Sequence, residues 1–488
     1  MRQLNHNILM EFKKTKSRFL SLVILLSLAI FVFIGLSIVG SDMRSIARRE
    51  FAKTHMADVE VTSTIGLTDS VKNELKKLKG VSAYEFGSQT QVLIQQTNKV
   101  LTIASMPKKL NTVTLTSGKL PQNNQEIVLS STAKNKYKIG DTITVSSPKT
   151  ETILAESRFK ITGFVKSMNY FKASDLGNSN LGNGEVYAYA FVNLSAFTSD
   201  SNNLVNLKLS KIQGQPFETA YEKAIAKKVK QLQVTLNQLN TTRINDLNTQ
   251  VNEQLADAKN QLDTGENELA RGRSQLNTLI ATFGEKPEFA LQQENLKQQE
   301  EALEVAKTEI NTAKEKQKDL ENVSLIAQSR QSFIEGYADY GESTLHLDDL
   351  AKTFPIIFFL IAILVTLTTM NRMVDENRIE IGTLRALGFT KREVIRKFTL
   401  YSLAIALISS VVGSAFGFLL LPKLVIQPYA TMYNLGNFHY LFSLPLVIIA
   451  LILAILSTVL VTYLSARVLL HQTPKALMTP EKPKGGTR

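Results

Sequence analysis

Four long apolar runs constrain the fold of this chain more than any other feature. They occupy residues 19–40, 354–370, 399–421 and 441–464, and none of them contains a charged side chain. A run of about 20 apolar residues is long enough to cross the hydrocarbon core of a bilayer as a helix. The sequence therefore predicts an α-helical membrane protein with four transmembrane helices.

A cleaved secretory signal is the alternative for the first apolar run, because basic residues precede it. The run is longer than the apolar core of a signal, and no small-x-small cleavage site follows it, so we expect an uncleaved helix. One apolar stripe among the preceding polar residues predicts an interfacial helix over residues 1–18, at the cytoplasmic membrane surface. The stripe consists of Leu4, Ile8, Leu9 and Phe12.

The distribution of positive charge predicts which segments face the cytoplasm. The formal net charge is +13, and the excess of Lys and Arg lies before the first apolar run, between the second and third, and after the fourth. Short loops rich in Lys and Arg stay in the cytoplasm, so both termini are predicted to be cytoplasmic. These basic residues are not interleaved with aromatic ones, so we expect contact with membrane lipids and not with nucleic acid.

The predicted domain order follows from these sides of the membrane. The long segment between the first two runs is placed outside the cell, as is the loop between the last two. The predicted parts are 1–18 (interfacial helix), 19–40 (first transmembrane helix), 41–216 (extracellular α+β core domain), 217–335 (coiled-coil hairpin), 336–353 (return to the membrane), 354–370 (second transmembrane helix), 371–398 (cytoplasmic coupling segment), 399–421 (third transmembrane helix), 422–440 (extracellular loop), 441–464 (fourth transmembrane helix) and 465–488 (cytoplasmic tail).

The segment after the first run has the mixed pattern of an α+β domain. Residues 58–62 alternate between polar and apolar, as a half-buried strand does, and residues 68–78 read as a helix that is capped by Thr68. Further short strands are predicted at residues 92–94, 100–103, 143–145, 159–165 and 186–192.

From residue 217 the composition shifts to Gln, Asn, Glu, Lys, Leu and Ala, and apolar residues recur every seven positions in two series. A Gly- and Pro-containing turn at residues 283–287 separates the series. Sustained heptads indicate an antiparallel coiled-coil hairpin. Its predicted core residues are Leu255, Leu262, Leu269 and Leu276 in the first arm and Phe289, Leu296, Leu303 and Ile310 in the second.

Small residues accompany this core, among them Gly265 and Gly272, and they predict a close approach of the two helices. Each glycine also costs about 1 kcal/mol of helix propensity. Two interpretations remain open for the hairpin. It is either a solvated spacer between domains or a lever and docking rod that responds to movement of the transmembrane helices.

The basic segment between the second and third runs combines a helical pattern with clear end signals. Apolar residues from Ile379 to Leu387 have helical spacing beside charges. Gly388 suits the position after a helix C-terminus, and Thr390 with Glu393 has the spacing of a capping box. The sequence predicts a short helix along the membrane surface, followed by a helix that enters the membrane.

Within this segment a resemblance to a known family becomes specific. The matching residues are Glu380, Ile381, Gly382, Thr383, Leu384, Arg385, Ala386, Leu387, Gly388 and Phe389. They resemble the signature of the FtsX-like permease family, the membrane subunits of MacB-type ABC transporters. The resemblance implies that they form the coupling helix that sits in a groove of the ATPase subunit. The alternative is a surface helix that only obeys the charge rule.

Two other stretches resemble the same family. Residues 138–145, after residues 125–129, are similar to its extracellular core domain, although a generic α+β domain with a Gly-Asp hairpin would give a similar pattern. Residues 474–488 resemble the linker midway through longer members. This implies either a second permease half or pairing with a second copy of this chain.

The sequence lacks the residues that several kinds of chemistry require. There are no cysteines, and the five histidines form no metal-binding pair. The form Gly-x-x-x-x-Gly-Lys-Ser/Thr and the nucleophile-elbow context are also missing. We therefore predict no catalytic, cofactor-binding or metal-binding residues, and a chain that is not an enzyme by itself.

Two functions are compared. The resemblance implies a permease subunit of an ABC-type complex in a bacterial cell membrane, with two cytoplasmic ATPase subunits that hydrolyse ATP. The complex would act on an envelope substrate, or on a cell-wall or peptide partner outside the cell. The alternative is a membrane-anchored sensory or adhesive receptor that binds a ligand with its coiled-coil stalk. That receptor would need a cytoplasmic signalling module, for which residues 465–488 are short.

Overall fold

The computed structural model describes residues 15–147, 153–198, 202–284, 287–319, 323–436 and 441–469. The chain divides into two compact units. The membrane unit comprises residues 1–53, 170–175 and 335–488, and the sheet unit comprises residues 54–169 and 176–334. Most of the predicted interfacial helix and of the cytoplasmic tail lies outside the described residues.

The helices and strands follow one another in this order along the chain: α1 (Lys16–Lys53), β1 (Val59–Ser63), α2 (Asp69–Lys76), β2 (Val81–Gly87), β3 (Gln89–Ile94), β4 (Val100–Ser105), β5 (Thr114–Gly118), β6 (Glu126–Ser130), β7 (Thr142–Ser146), β8 (Arg158–Lys166), β9 (Val186–Val192), β10 (Leu204–Leu209), α3 (Thr219–Phe283), α4 (Pro287–Asp319), β11 (Leu325–Ser329), α5 (Arg330–Phe333), α6 (Tyr337–Glu376), α7 (Arg378–Ala386), α8 (Lys391–Leu419), α9 (Leu421–Met432), α10 (Leu444–Ile455) and α11 (Val461–Leu469).

The membrane unit contains four helical stretches that are long and apolar enough to cross a membrane, counted over the described residues. They are Lys16–Lys53, Tyr337–Glu376, Lys391–Met432 and Leu444–Val468. The predicted four transmembrane helices are confirmed. A π-helical turn at Leu456–Leu460 joins α10 to α11 within the last stretch.

Several predicted boundaries need correction, because helices continue past the apolar runs. The predicted loop 422–440, for example, begins with α9, which ends at Met432. The core domain was predicted to begin at residue 41, but α1 runs on to Lys53 and buries Met43 and Phe51 on its inner face. The return segment 336–353 and the second run form one helix of 40 residues, α6. Pro355 therefore lies inside α6, whereas Pro445 lies in the first turn of α10.

In the membrane unit, α1 is the central helix and packs against both α6 and α8. Ile30 and Ile34 of α1 and Ile405 of α8 are fully buried in one apolar core. Ser409 of α8 donates its hydroxyl to the backbone oxygen of Val23 at 3.1 Å. The small residues of α8 thus allow its backbone to lie close to α1, as small residues do between membrane helices.

The sheet unit contains two sheets. The smaller is antiparallel, in the order β11-β1-β10-β2, and the larger is mixed, in the order β5-β8-β6-β9-β4-β3-β7. Strand β7 also pairs with β8, so the strands of the larger sheet from β8 to β7 close on themselves around an apolar core. The sheets and helices confirm the predicted α+β class. Sequence patterns predicted none of β2, β5, β6, β10 and β11.

The helical hairpin of the sheet unit consists of α3, with 65 residues, and α4, with 33 residues. A Cβ atom added to Gly265 would lie 2.8 Å from Cδ2 of Leu303, and one added to Gly272 would lie 2.7 Å from Cδ2 of Leu296. These two contacts run in opposite directions along the helices, so the helices are antiparallel, and they approach closely as predicted. Lys307 pairs with Glu266 across the hairpin at 2.9 Å.

The predicted end of the hairpin at residue 335 is wrong. Residues Leu325–Ser329 form β11, which pairs with β1 in the smaller sheet. The physical reason is local alternation: Leu325 and Ala327 are buried, while Ile326 between them is exposed. The sequence prediction assigned this short strand to the hairpin because the helical pattern before it is much longer.

Candidate functional site

The segment that the sequence singles out forms α7 and its connections. Asn377 ends α6 and precedes α7, and its side-chain amide donates to the backbone oxygen of Met373 at 2.8 Å. After α7, Gly388 has a φ of +93°, a conformation that glycine adopts without steric cost. The backbone N–H of Phe389 donates to the oxygen of Leu384 at 3.1 Å. The predicted glycine stop is confirmed.

The next helix, α8, begins with the predicted capping box. The side chain of Thr390 accepts a hydrogen bond from the N–H of Glu393 at 3.3 Å. The N–H of Thr390 donates in return to Oε2 of Glu393 at 2.8 Å. This pair of hydrogen bonds satisfies two backbone donors that a helix start leaves open, and it fixes the turn between α7 and α8.

The inner face of the segment is buried in the membrane unit. Ile381 is a buried member of the core, and Leu384 and Phe389 pack against that core. These three residues hold α7 against the helices on either side of it. They belong to the predicted coupling residues; Ile381 is buried, whereas Leu384 and Phe389 are half-buried.

The outer face of the segment is apolar and exposed. The exposed fraction is 67% for Ile379 and 72% for Leu387, and Thr383 and Ala386 are exposed beside them. Exposed large apolar side chains on a short helix present a contact surface. Ile379 lies one residue before the predicted segment, and its spacing of eight from Leu387 was the signal that places both on one helix face.

Ion pairs connect the ends of the helices around α7. Nζ of Lys397 in α8 lies 2.9 Å from Oε1 of Glu380 in α7. Glu376, at the end of α6, accepts from both guanidinium N–H groups of Arg18 in α1, one of them at 2.9 Å. Arg372 adds a second pair to Glu376 at 3.0 Å. Three helices and α7 are thus tied together at one end.

The predicted hairpin core lies elsewhere, in the sheet unit. Leu276 and Ile310 are buried, and the remaining predicted core residues are half-buried. The half-buried residues are Leu255, Leu262, Leu269, Phe289, Leu296 and Leu303. The structure therefore brings the hairpin residues together with one another, and they belong to a different unit from the α7 segment. Across the described residues, no group of three or more His, Asp or Glu is arranged to hold a metal.

Comparison with known proteins agrees with this architecture. The family model of the FtsX-like permease C-terminal domain matches residues 352–474, and that of the MacB-like periplasmic core domain matches residues 20–239. Together they define a transmembrane subunit of an ABC-type complex, in which ATP hydrolysis lies in a separate subunit. The chain belongs to the FtsX-like permease family, with a MacB-like core domain.

One solved structure is reported beside these models. It is the crystal structure of the extracellular domain of the noncanonical ABC-type transporter YknZ from Gram-positive bacteria, at 11% sequence identity and a TM-score of 0.21. The match covers 31% of this chain and 82% of that chain. A search of curated protein sequences found no match.

Proposed function

We propose that this chain transmits ATP-driven motion from cytoplasmic ATPase subunits to the sheet unit and its hairpin. The complex acts on an envelope substrate or a cell-wall partner, in a bacterial cell membrane, with both termini in the cytoplasm. Two ATPase subunits bind per complex, and a second permease half or a second copy of this chain completes it.

The observation that carries the proposal is the division of α7 into two faces. Ile381 and Leu384 fix one face to the membrane unit, while Ile379 and Leu387 leave the other face open. A docking helix needs both faces: the open face binds the partner, and the buried face transmits the partner's movement to the membrane helices. A helix that only lies on the membrane surface would bury these two side chains among lipids instead, and the co-purification test below separates the two functions.

Three connections can transmit a displacement of α7 to the other helices of the membrane unit. Asn377 joins it to α6 by a tight cap, Lys397 joins it to α8 by an ion pair, and Arg18 links α1 to the end of α6. Since α1 leads directly into β1, and α5 leads through residues 334–336 into α6, the same helices are connected by the chain to the sheet unit. This is coupling through an element with two states, and it does not require a pore.

Arg385 adds a polar element to the proposed ATPase contact. Its side chain is half-buried and lies in sequence next to the exposed Ala386 and Leu387. A guanidinium suits bidentate recognition of a carboxylate. We propose that an acidic side chain of the ATPase groove pairs with Arg385, beside the apolar contacts of Leu387.

The test is co-purification of the cognate ATPase with the full chain, both expressed in the same cells. Leu387→Asp is expected to reduce the bound ATPase by about tenfold or more, since central apolar contacts of an interface carry most of its binding energy. Ile379→Asp is expected to weaken binding in the same direction.

Leu291→Asp is the matched control, because Leu291 is 71% exposed on a helix of the hairpin. It is expected to retain the ATPase. Undiminished ATPase binding by both α7 variants would contradict the docking role. A wild-type chain that captures no ATPase would instead favour the receptor function.

A further inference from the structure

We propose that residues Tyr170–Asp175, here named the anchor segment, are the second mechanical attachment through which the membrane helices move the larger sheet. The proposal rests on the proposed function and names the element that delivers the motion. In the chain, the segment lies between β8 and β9 of the sheet unit, yet its contacts place it in the membrane unit.

Phe171 is the centre of the anchor segment. Its side chain is fully buried, and its ring centroid lies 5.0 Å from that of Tyr340 and 5.1 Å from that of Tyr433. The ring of Phe51 lies 5.5 Å away on another side. These aromatic residues come from α1, from α6 and from the residue after α9, so one side chain contacts the ends of three helices.

Backbone hydrogen bonds hold the segment on both sides. Lys172 donates its N–H to the oxygen of Glu335 at 3.0 Å, and Ala173 donates to the oxygen of Met432 at 2.8 Å. Asn434 donates its backbone N–H to the oxygen of Phe171 at 2.8 Å. The segment is therefore paired as a short β-bridge, with Lys172 opposite Tyr433.

Side-chain contacts reinforce the bridge. The amide of Asn434 donates to the oxygen of Tyr170 at 2.7 Å. Nζ of Lys172 lies 3.4 Å from Asp175 and 3.5 Å from Asp339 of α6. The hydrogen bond that Lys172 donates to Asp175 raises the pKa of Lys172, and the charge of Asp339 raises it further. A segment that served only as a loop would not need a fully buried ring and five hydrogen bonds to residues outside it.

The position of the anchor segment in the chain connects the membrane helices to the larger sheet. The two units are joined where the chain passes between residues 53 and 54, 169 and 170, 175 and 176, and 334 and 335. The outer two junctions lead to the smaller sheet, through β1 and β11. The inner two lead from the anchor segment to β8 and β9, which flank β6 in the larger sheet. Movement of the helix ends that Phe171 contacts is therefore transmitted directly to that sheet.

The first experiment measures the anchor itself by amide hydrogen exchange of the full chain in complex with its ATPase. Phe171→Ala is expected to speed exchange at Ala173 and Asn434 about a hundredfold, because deletion of a buried phenyl ring shifts local opening by that order. Phe171→Leu is expected to restore most of the protection. Phe197→Ala, a buried ring in the core of the larger sheet, is the matched control and is expected to leave these two amides protected.

The second experiment measures coupling. A non-hydrolysable ATP analogue is expected to change exchange in peptides from β8 and β9 of the wild-type complex, and Phe171→Ala is expected to abolish that change while the ATPase still co-purifies. A reversible rescue is available, because the chain has no cysteine. Lys172 and Tyr433 face each other as a non-hydrogen-bonded pair, the arrangement with the closest side chains, so Lys172→Cys with Tyr433→Cys is expected to form a disulfide.

The outcomes separate the two proposals. In the Phe171→Ala background, the oxidised cysteine pair is expected to restore the nucleotide-dependent change, and reduction is expected to remove it again. A Phe171→Ala complex that responds to nucleotide as the wild type does would overturn the anchor and leave the proposed function standing. A wild-type complex that binds its ATPase but shows no response in either sheet would overturn the proposed transmission itself.

Discussion

Nζ of Lys397 lies 2.9 Å from Oε1 of Glu380, and the two side chains differ in burial, with 6% of Lys397 exposed and 42% of Glu380. The pair joins α8 to α7 at the base of the proposed docking surface. Because the lysine is the desolvated partner, loss of the glutamate removes a nearby negative charge from a buried ammonium. Loss of the lysine leaves a carboxylate that water can reach.

Glu380→Gln is therefore expected to destabilise the chain more than Lys397→Met. We expect about 1–3 kcal/mol for Glu380→Gln, below the cost of breaking a fully buried pair, because Glu380 is partly solvated. Lys397→Met, which replaces the buried ammonium by an apolar chain of similar length, is expected to be close to neutral. Thermal unfolding of the two variants and of the double variant in detergent measures this. Equal destabilisation by the two single variants would contradict the prediction that the burial of Lys397 makes the loss of Glu380 more costly.

Gly265 in the hairpin is expected to distinguish between a small and a large side chain. Gly265→Ala gains up to about 1 kcal/mol of helix propensity, because the contact at 2.8 Å is with the flexible end of Leu303, which can rotate away. Gly265→Leu is expected to separate α3 from α4 and to speed exchange of the α4 amides. The control is Thr264→Leu at the neighbouring exposed position, which is expected to leave exchange unchanged. If Gly265→Leu behaves like this control, the close approach of the helices is not required.

The base of the hairpin depends on one buried carboxylate, that of Asp58. Nη2 of Arg330 lies 2.9 Å from its Oδ1, and the hydroxyl of Tyr221 in α3 donates to the same atom at 2.6 Å. Arg330→Met is expected to cost about 3–5 kcal/mol, because it leaves this buried charge with too few partners. Lys208→Met removes a more exposed partner and is expected to cost about 0–1 kcal/mol. Denaturant unfolding of the sheet unit in the full chain measures both, and similar costs for the two would contradict the central role of Arg330.

Glu60 is expected to make the sheet unit less stable as the pH rises. It lies on β1, opposite Asn206 on one side and Gln328 on the other, and burial raises its pKa to about 7. Between the ordinary value of 4.5 and about 7, the folded state binds more protons than the unfolded state, so stability is lost as pH rises through this window. Glu60→Gln is expected to flatten the dependence there, as measured by exchange of the β1 amides at several pH values. An unchanged slope would exclude Glu60 as its source.

Local sequence patterns were sufficient for features that neighbouring residues create. The cap of α2 by Thr68, the positive φ of Gly388 and the capping box of Thr390 with Glu393 all depend on a few consecutive residues. The four apolar runs likewise need only their own length and composition. These features were predicted, and the structure contains them.

Features that depend on distant partners were missed. Strand β11 joins the smaller sheet because β1, far away in the chain, offers it an edge. The extension of α1 to Lys53 depends on partners that bury Met43 and Phe51. The sequence pattern of the strand is weaker than that of the long heptad series before it. The pattern of the helix extension is likewise weaker than that of the apolar run before it.

The sequence by itself determined the number of membrane helices, the family and the helix-stop and cap signals around α7, because length, charge and short motifs act locally. Only the tertiary structure decided which face of α7 is open, since burial of Ile381 and exposure of Leu387 depend on the helices packed beside them. It also decided the burial of Phe171, whose neighbours in sequence are ordinary loop residues. Its burial arises because the ends of three helices, widely separated in the chain, meet around one ring.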